Sequence, residues 1–104
     1  MGTTMIKQPL VSVIIPTKNS AKHLKLCLQS IKAQSYRNFE IIVVDNNSSD
    51  DTRQIAKRYT KNVFNHGNER AVQSNFGISK AKGKYIYRVD SDFVFDKDVI
   101  SEAV

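Results

Sequence analysis

Residues 39–50 read Phe39-Glu-Ile-Ile-Val-Val-Asp-Asn-Asn-Ser-Ser-Asp50. Phe39 to Val44 is a short, largely apolar and β-branched run, the pattern of a strand buried on both faces. The polar string from Asp45 to Asp50 consists of turn and capping residues, so the chain passes straight from strand into loop. A buried strand with a polar exit is the building unit of a parallel α/β sheet.

The flanking sequence repeats the unit. Upstream, Leu10 to Ile15 is a second β-branched apolar run, and Pro16 is expected to end it, since proline donates nothing to a central ladder. Ser20 is a candidate N-cap for a helix running to about Ala33. Within that helix Leu24, Cys27, Leu28 and Ile31 recur at helical spacing as one apolar stripe, with Lys22, Lys25 and Lys32 on other faces. Downstream, a helix is expected from about Asp50 to Tyr59, burying Ile55, Ala56 and Tyr59. A short strand follows around Asn62 to Asn65. Gly67-Asn68 is a turn, and Glu69 to Lys80 is a helix carrying Ala71, Val72, Asn75, Phe76 and Ile78. Gly83 ends it, Lys84 to Val89 is a fourth strand, and Asp96 to Val104 begins a last helix. Strand and helix thus alternate four times, with connections too long for hairpins. The pattern predicts an α/β fold with a mostly parallel sheet flanked by helices, Rossmann-like in build. Residues 1–9 are read as an N-terminal extension and residues 10–104 as a single domain.

The 104 residues and their 40% apolar content fit one small domain with a modest core. No apolar run is long enough to cross a bilayer, and none reads as a signal peptide. The single Cys27 has no partner for an internal disulfide, so a cytoplasmic location is expected. The net charge of +6 is placed unevenly: the first 39 residues hold Lys7, Lys18, Lys22, Lys25, Lys32 and Arg37 without a single acidic residue. Such a basic part could attract phosphates or hold the protein peripherally at an anionic membrane, and its plain alternative is a solvated helix face. The interleaved aromatic and basic pattern of an RNA-binding sheet is missing, so no nucleic-acid partner is expected.

Ligands of open α/β sheets bind beyond the carboxyl ends of the strands. Three polar clusters, Thr17-Lys18-Asn19, Asp45-Asn46-Asn47 and Asp90-Ser91-Asp92, each follow an expected strand directly, and parallel strands bring all three to one rim. Asp90 and Asp92 are two carboxylates one residue apart. They repel unless a cation neutralises them, and Mg2+ or Mn2+ does so while leaving positions for phosphate oxygens and water. Their plain alternative is a pair of turn aspartates. Asp45 at the rim could accept the N3–H of a uracil ring or a ribose hydroxyl, or could serve as a turn residue. Thr17 and Asn19 lie where a base would rest, or are ordinary turn residues. Arg70 could pair with a phosphate or be a solvated helix side chain. His23 and His66 lack partners at metal-ligand spacing, and Cys27, set in the core stripe, is expected to be inert.

Other site classes fail on the residues. A dinucleotide fold needs Gly-x-Gly-x-x-Gly after its first strand, and this chain has Pro16-Thr-Lys-Asn-Ser-Ala21. A phosphate loop ending in Gly-Lys-Ser/Thr is missing, as are the acidic residues a receiver domain would carry after that strand. Asp90-Ser-Asp-Phe-Val94 also fits the Asp-x-Asp-x-Thr/Val loop of haloacid-dehalogenase-like phosphatases, but only ten residues follow it.

Taken in order, five segments resemble the family 2 glycosyltransferases of GT-A fold. Val11-Ser-Val-Ile-Ile-Pro-Thr-Lys-Asn19 is similar to that family's opening strand and loop. Ser30-Ile-Lys-Ala-Gln-Ser-Tyr-Arg-Asn-Phe-Glu-Ile-Ile-Val-Val-Asp45 is similar to its first helix end and second strand, and Asn47-Ser-Ser-Asp50 to the turn after it. Asn75-Phe-Gly-Ile-Ser-Lys-Ala-Lys-Gly83 resembles the helix before the metal strand, and Val89-Asp-Ser-Asp92 the metal motif. The resemblance implies a nucleotide-sugar donor such as a UDP-sugar. It places Asp45 on the base, Asp90 near ribose and metal, Asp92 as direct metal ligand, Thr17 and Asn19 in the nucleotide pocket, and Arg70 on phosphate or base. Mn2+ or Mg2+ would act as a Lewis acid on the leaving diphosphate, and an acceptor hydroxyl on a sugar, lipid or protein would receive the sugar.

The chain departs from the pattern in four ways. Lys18 stands where an aromatic residue often stacks on the base, Phe93 replaces a frequent third acidic residue, and Arg88 is an unusual charge in the metal strand. Family members also run about as far again, so the general base is expected beyond the chain end and this piece to be incomplete alone. The truncated sheet favours self-association through its open edge. The competing expectation is a noncatalytic homologue that binds nucleotide or only oligomerises.

Overall fold

The computed structural model describes residues 8–104, so most of the expected extension, residues 1–7, lies outside the described residues. Eight elements follow in order: β1 (Val11–Thr17), α1 (Ala21–Lys32), β2 (Phe39–Asp45), α2 (Thr52–Lys57), β3 (Asn62–Asn65), α3 (Arg70–Lys80), β4 (Tyr85–Arg88) and α4 (Val99–Ala103). The four strands form one parallel sheet in the order β3-β2-β1-β4. This is the α/β arrangement that the alternating sequence predicts.

Helices cover both faces. On one face Val11, Val13 and Ile15 of β1 and Ile41 and Val43 of β2 pack with Leu24, Cys27, Leu28 and Ile31 of α1, Ala56 of α2 and Ile100 of α4. On the other, Ile14, Ile42 and Val44 meet Phe64 and Phe76 under α3. All seven residues of β1 are buried because they lie between two strands and two helical layers. The outward face of α1 carries Lys22, Lys25, Leu26 and Lys32, all exposed.

Three expectations are corrected. First, β1 does not stop at Pro16 but runs through it to Thr17, which pairs with Asp45. Successive residues of a parallel strand address opposite neighbours. The carbonyl of Thr17 accepts from Asn46 of the β2 chain and that of Ile14 from Val89 of the β4 chain, so the donorless nitrogen of Pro16 faces the β4 side. There the last pair is Ile14 with Arg88, and no ladder bond is lost. Second, Ser20 occupies the N-cap position of α1 without a side-chain cap. Asp50 takes that role from another loop, accepting the Ala21 N–H at 3.2 Å, while the Ser20 N–H donates to Thr52 Oγ1 at 2.8 Å. Asp50 also accepts from the Thr52 N–H at 3.0 Å, and α2 therefore starts only at Thr52. Third, α3 does not bury Ala71 or Ile78; its inner face is Gln73, Ser74 and Gly77. The helix lies too close to the sheet for large side chains: a Cβ on Gly77 would stand 2.6 Å from Ile14 Cγ2. The fourth strand, β4, is a half-exposed edge strand with Tyr85 and Ile86 open to solvent.

Candidate functional site

At the carboxyl ends of β1 and β2 the two following loops are knitted together by their own polar groups. Asn19 and Asn47 take up left-handed backbone, with φ of 49° and 47°, a conformation asparagine tolerates better than other branched or bulky residues. That turn lets Asn19 Oδ1 accept the Ser49 N–H at 2.8 Å, while its own N–H donates to Ser48 Oγ at 2.7 Å. Asn47 in turn bonds Asn65 at the end of β3 through backbone and side chain.

Asp45 sits at the centre of this weave, fully buried. Its carboxylate accepts from the Thr17 hydroxyl at 2.6 Å, the Ser48 hydroxyl at 2.5 Å and the Ser48 N–H at 2.8 Å, with Arg53 Nε 3.7 Å away. A buried carboxylate needs such donors to offset its lost hydration. Asp45 therefore does not stand open at the rim but is a buried acceptor already met by donors from both loops. Ser48 and Thr17 spend their hydroxyls on Asp45, and neither Asp45 nor Asn19 lines the adjoining cavity.

That cavity, of about 290 Å³, opens above the strand ends and is lined by Thr17, Lys18, Ser20, Asn46, Arg70, Gln73 and Ser91, among others. It joins the β1 loop, the β2 loop, the start of α3 and the turn after β4, so the three polar clusters do share one rim. Lys18 reaches across to the Asn47 carbonyl at 3.3 Å. Gln73, which the apolar periodicity did not single out, is buried and donates from Nε2 to the carbonyls of Thr17 at 2.8 Å and Val44 at 2.7 Å. Its only sequence signal is its place one turn before Gly77 on the same helix face.

The segment after β4 folds into a turn closed by the Phe93 N–H on the Asp90 carbonyl at 3.1 Å. Ser91 donates to Ser20 Oγ at 3.0 Å, tying the turn to the start of α1. Asp90 and Asp92 are both exposed. The Asp90 carboxylate accepts from Arg70 at 3.0 Å. Asp92 stands near Cys27: burial, and secondarily the Asp92 charge, push that thiol up to about 12, which agrees with an inert core cysteine. Among the described residues no three His, Cys, Asp or Glu side chains form a metal cluster. The donor set, two exposed carboxylates one residue apart, fits a hard divalent ion that draws its remaining ligands from phosphate and water. A second cavity, also about 290 Å³, lies beside the turn against Tyr87, Arg88, Asp90 and Phe93. No helix among the described residues is long and apolar enough to cross a membrane.

The family described as glycosyl transferase family 2 matches the chain over residues 12–104. Among curated relatives, the glycosyltransferase GlyG of Streptococcus pneumoniae is 38% identical over 98 residues, which is 88% of this chain and 33% of GlyG. Among solved structures, S. aureus TarS 1-349 in complex with UDP superposes with a TM-score of 0.79 at 31% identity, over 89% of this chain and 30% of that one. The mannosyltransferase PcManGT from Pyrobaculum calidifontis, in complex with GDP-Man and Mn2+, gives a TM-score of 0.83 at 26% identity, over 93% of this chain and 32% of that one. The chain thus spans about a third of the length of these relatives. The phosphatase reading of Asp90 to Val94 is left without support. The parallel sheet, the shared rim and the match over residues 12–104 agree, and the chain belongs to glycosyl transferase family 2.

Proposed function

We propose that residues 10–104 form the nucleotide-sugar-binding half of a metal-dependent glycosyltransferase, with a UDP-sugar as donor. The observation that carries this reading is the polar cavity at the strand ends, where Thr17 and Lys18, Arg70, and Ser91 converge from three segments beside Asp90. The TarS complex with UDP and the PcManGT complex with GDP-Man and Mn2+ support a nucleotide ligand for this fold.

In this reading the nucleotide lies over Thr17 and Asn46, and Arg70 contacts the diphosphate. Asp90 and Asp92 hold Mn2+ or Mg2+, and the bound ion supplies Lewis acidity to the leaving diphosphate. Asp45 from behind the surface and the exposed Asn19 from its outer side fix the two loops that form the cavity wall. Both hydroxyls sit on Asp45 Oδ1, so a direct bond to a base would fall to Oδ2, which accepts the Ser48 N–H and lies 3.7 Å from Arg53 Nε. The basic outer face of α1 gives the protein a surface for peripheral attachment to an anionic membrane.

Calorimetric titration with UDP, with and without Mn2+, tests the reading. Metal-dependent heat in the wild type that disappears in Asp92→Ala is the expected result. A wild type that binds no UDP even with Mn2+ would sink the donor-binding reading and favour a homologue that only oligomerises.

A further inference from the structure

Only two ion pairs occur among the described residues, and they differ in kind. Arg53 with Asp45 stands on a fully buried carboxylate, whereas Arg70 with Asp90 joins two side chains that are 63% and 53% exposed. Arg70 is the first residue of α3 and Asp90 follows β4, so the contact bridges two elements that the sheet holds apart. The two partners line different cavities, Arg70 the polar cavity at the strand ends and Asp90 the one beside Tyr87 and Phe93. Asp92 takes part in no ion pair among the described residues. Lys18, the other cation of the polar cavity, is engaged with the Asn47 carbonyl instead.

We infer that Arg70 is a built-in counter-ion which occupies Asp90 until donor and metal arrive together, and so couples their binding. The inference rests on the donor-site reading above. Its physical basis is charge. With Arg70 on Asp90, a divalent cation alone meets one compensated carboxylate and a neighbouring positive guanidinium, and is held weakly. A diphosphate offers that guanidinium a better, bidentate partner and at the same time brings oxygen ligands for the metal. An exposed pair is worth little, so exchanging it costs little. Arg70 thereby moves from carboxylate to phosphate as the metal takes its place on Asp90, and each ligand raises the affinity of the other.

The test measures three affinities for wild type, Arg70→Ala and Arg70→Lys. They are Mn2+ alone, followed by the paramagnetic resonance of free Mn2+; UDP alone; and UDP at saturating Mn2+. Arg70→Ala is expected to bind Mn2+ alone about three- to tenfold more tightly, the scale of one unit charge acting on a divalent ion at an exposed site. UDP alone should bind it more weakly, and the gain in UDP affinity on adding Mn2+ should shrink. Arg70→Lys should return the affinity for Mn2+ alone close to the wild-type value, because the charge is kept, but only part of the UDP affinity, because an ammonium cannot make the bidentate contact. A purely structural role for Arg70 predicts weaker Mn2+ binding in Arg70→Ala, and unchanged or weaker Mn2+ affinity overturns the inference. Failure of the donor-site reading is separately visible: wild type then binds no UDP at saturating Mn2+.

Discussion

Replacing Asp45 by alanine separates a buried organiser from an exposed ligand. In the wild type this side chain is fully buried and receives two hydroxyl donors and one backbone N–H at 2.5 to 2.8 Å. Hydrogen bonds to a charged group contribute about 1.5–3 kcal/mol each, and a buried donor left without an acceptor costs about 1–3 kcal/mol. The Thr17 and Ser48 hydroxyls can rotate toward other acceptors, so the three contributions do not add in full. Asp45→Ala is expected to lose about 3–5 kcal/mol of unfolding free energy, in the range seen when one partner of a buried charged network is removed. Thr17→Val, which deletes one donor to the carboxylate and nearly keeps the shape, should lose about 1.5–3 kcal/mol. Urea unfolding followed by far-ultraviolet circular dichroism gives both values, and UDP titration on the folded variants gives the effect on binding. An Asp45→Ala protein within about 1 kcal/mol of wild type yet unable to bind UDP would refute the burial argument and return Asp45 to the nucleotide surface.

Two further outcomes follow from packing and charge. Gly77→Ala puts a methyl 2.6 Å from Ile14 Cγ2 and 3.2 Å from Val44 Cγ2. A contact this short calls on the upper part of the ~1–3 kcal/mol overpacking range and alanine's better helix propensity offsets about 1, so a net loss of about 1–2 kcal/mol with a lower urea midpoint is expected, and an unchanged midpoint contradicts the close approach of α3. For the basic face of α1, sedimentation with phosphatidylserine vesicles at low salt should pull down the wild type but not the triple variant Lys22→Glu, Lys25→Glu, Lys32→Glu, at about 1 kcal/mol per lysine; equal sedimentation of the two, or equal binding to neutral vesicles, removes the membrane surface.

The order of elements and the shared rim were legible because they depend on patterns one strand or one helix long. Val11, Val13 and Ile15 alternate with Ser12 and Ile14 in a run that any parallel sheet would bury, and the apolar stripe of α1 is the one the structure buries. What escaped reading depends on partners distant in sequence. Ser20 looks like a cap until Asp50 arrives from the next loop. Asp45 looks free until Thr17 and Ser48 close on it from two sides. The inner face of α3 reads as apolar only if the helix is assumed to stand at ordinary distance; its close approach to Ile14 turns the rule around and selects Gly77, Ser74 and Gln73. Pro16 was misjudged because strand membership was equated with donating on both sides, whereas a parallel strand addresses each neighbour with every second residue.

The single amide of Gln73 grips both strand ends at once, one carbonyl from β1 and one from β2. Two anchor points resist rotation about either one, so the cavity floor and the first turns of α3 are braced against each other. Whatever rearrangement accompanies ligand capture must then come from the parts not so anchored, the Arg70 side chain and the exposed carboxylates of the turn after β4. For the donor site proposed above, this leaves the adjustment to side chains that move over a floor which the Gln73 amide ties at two points.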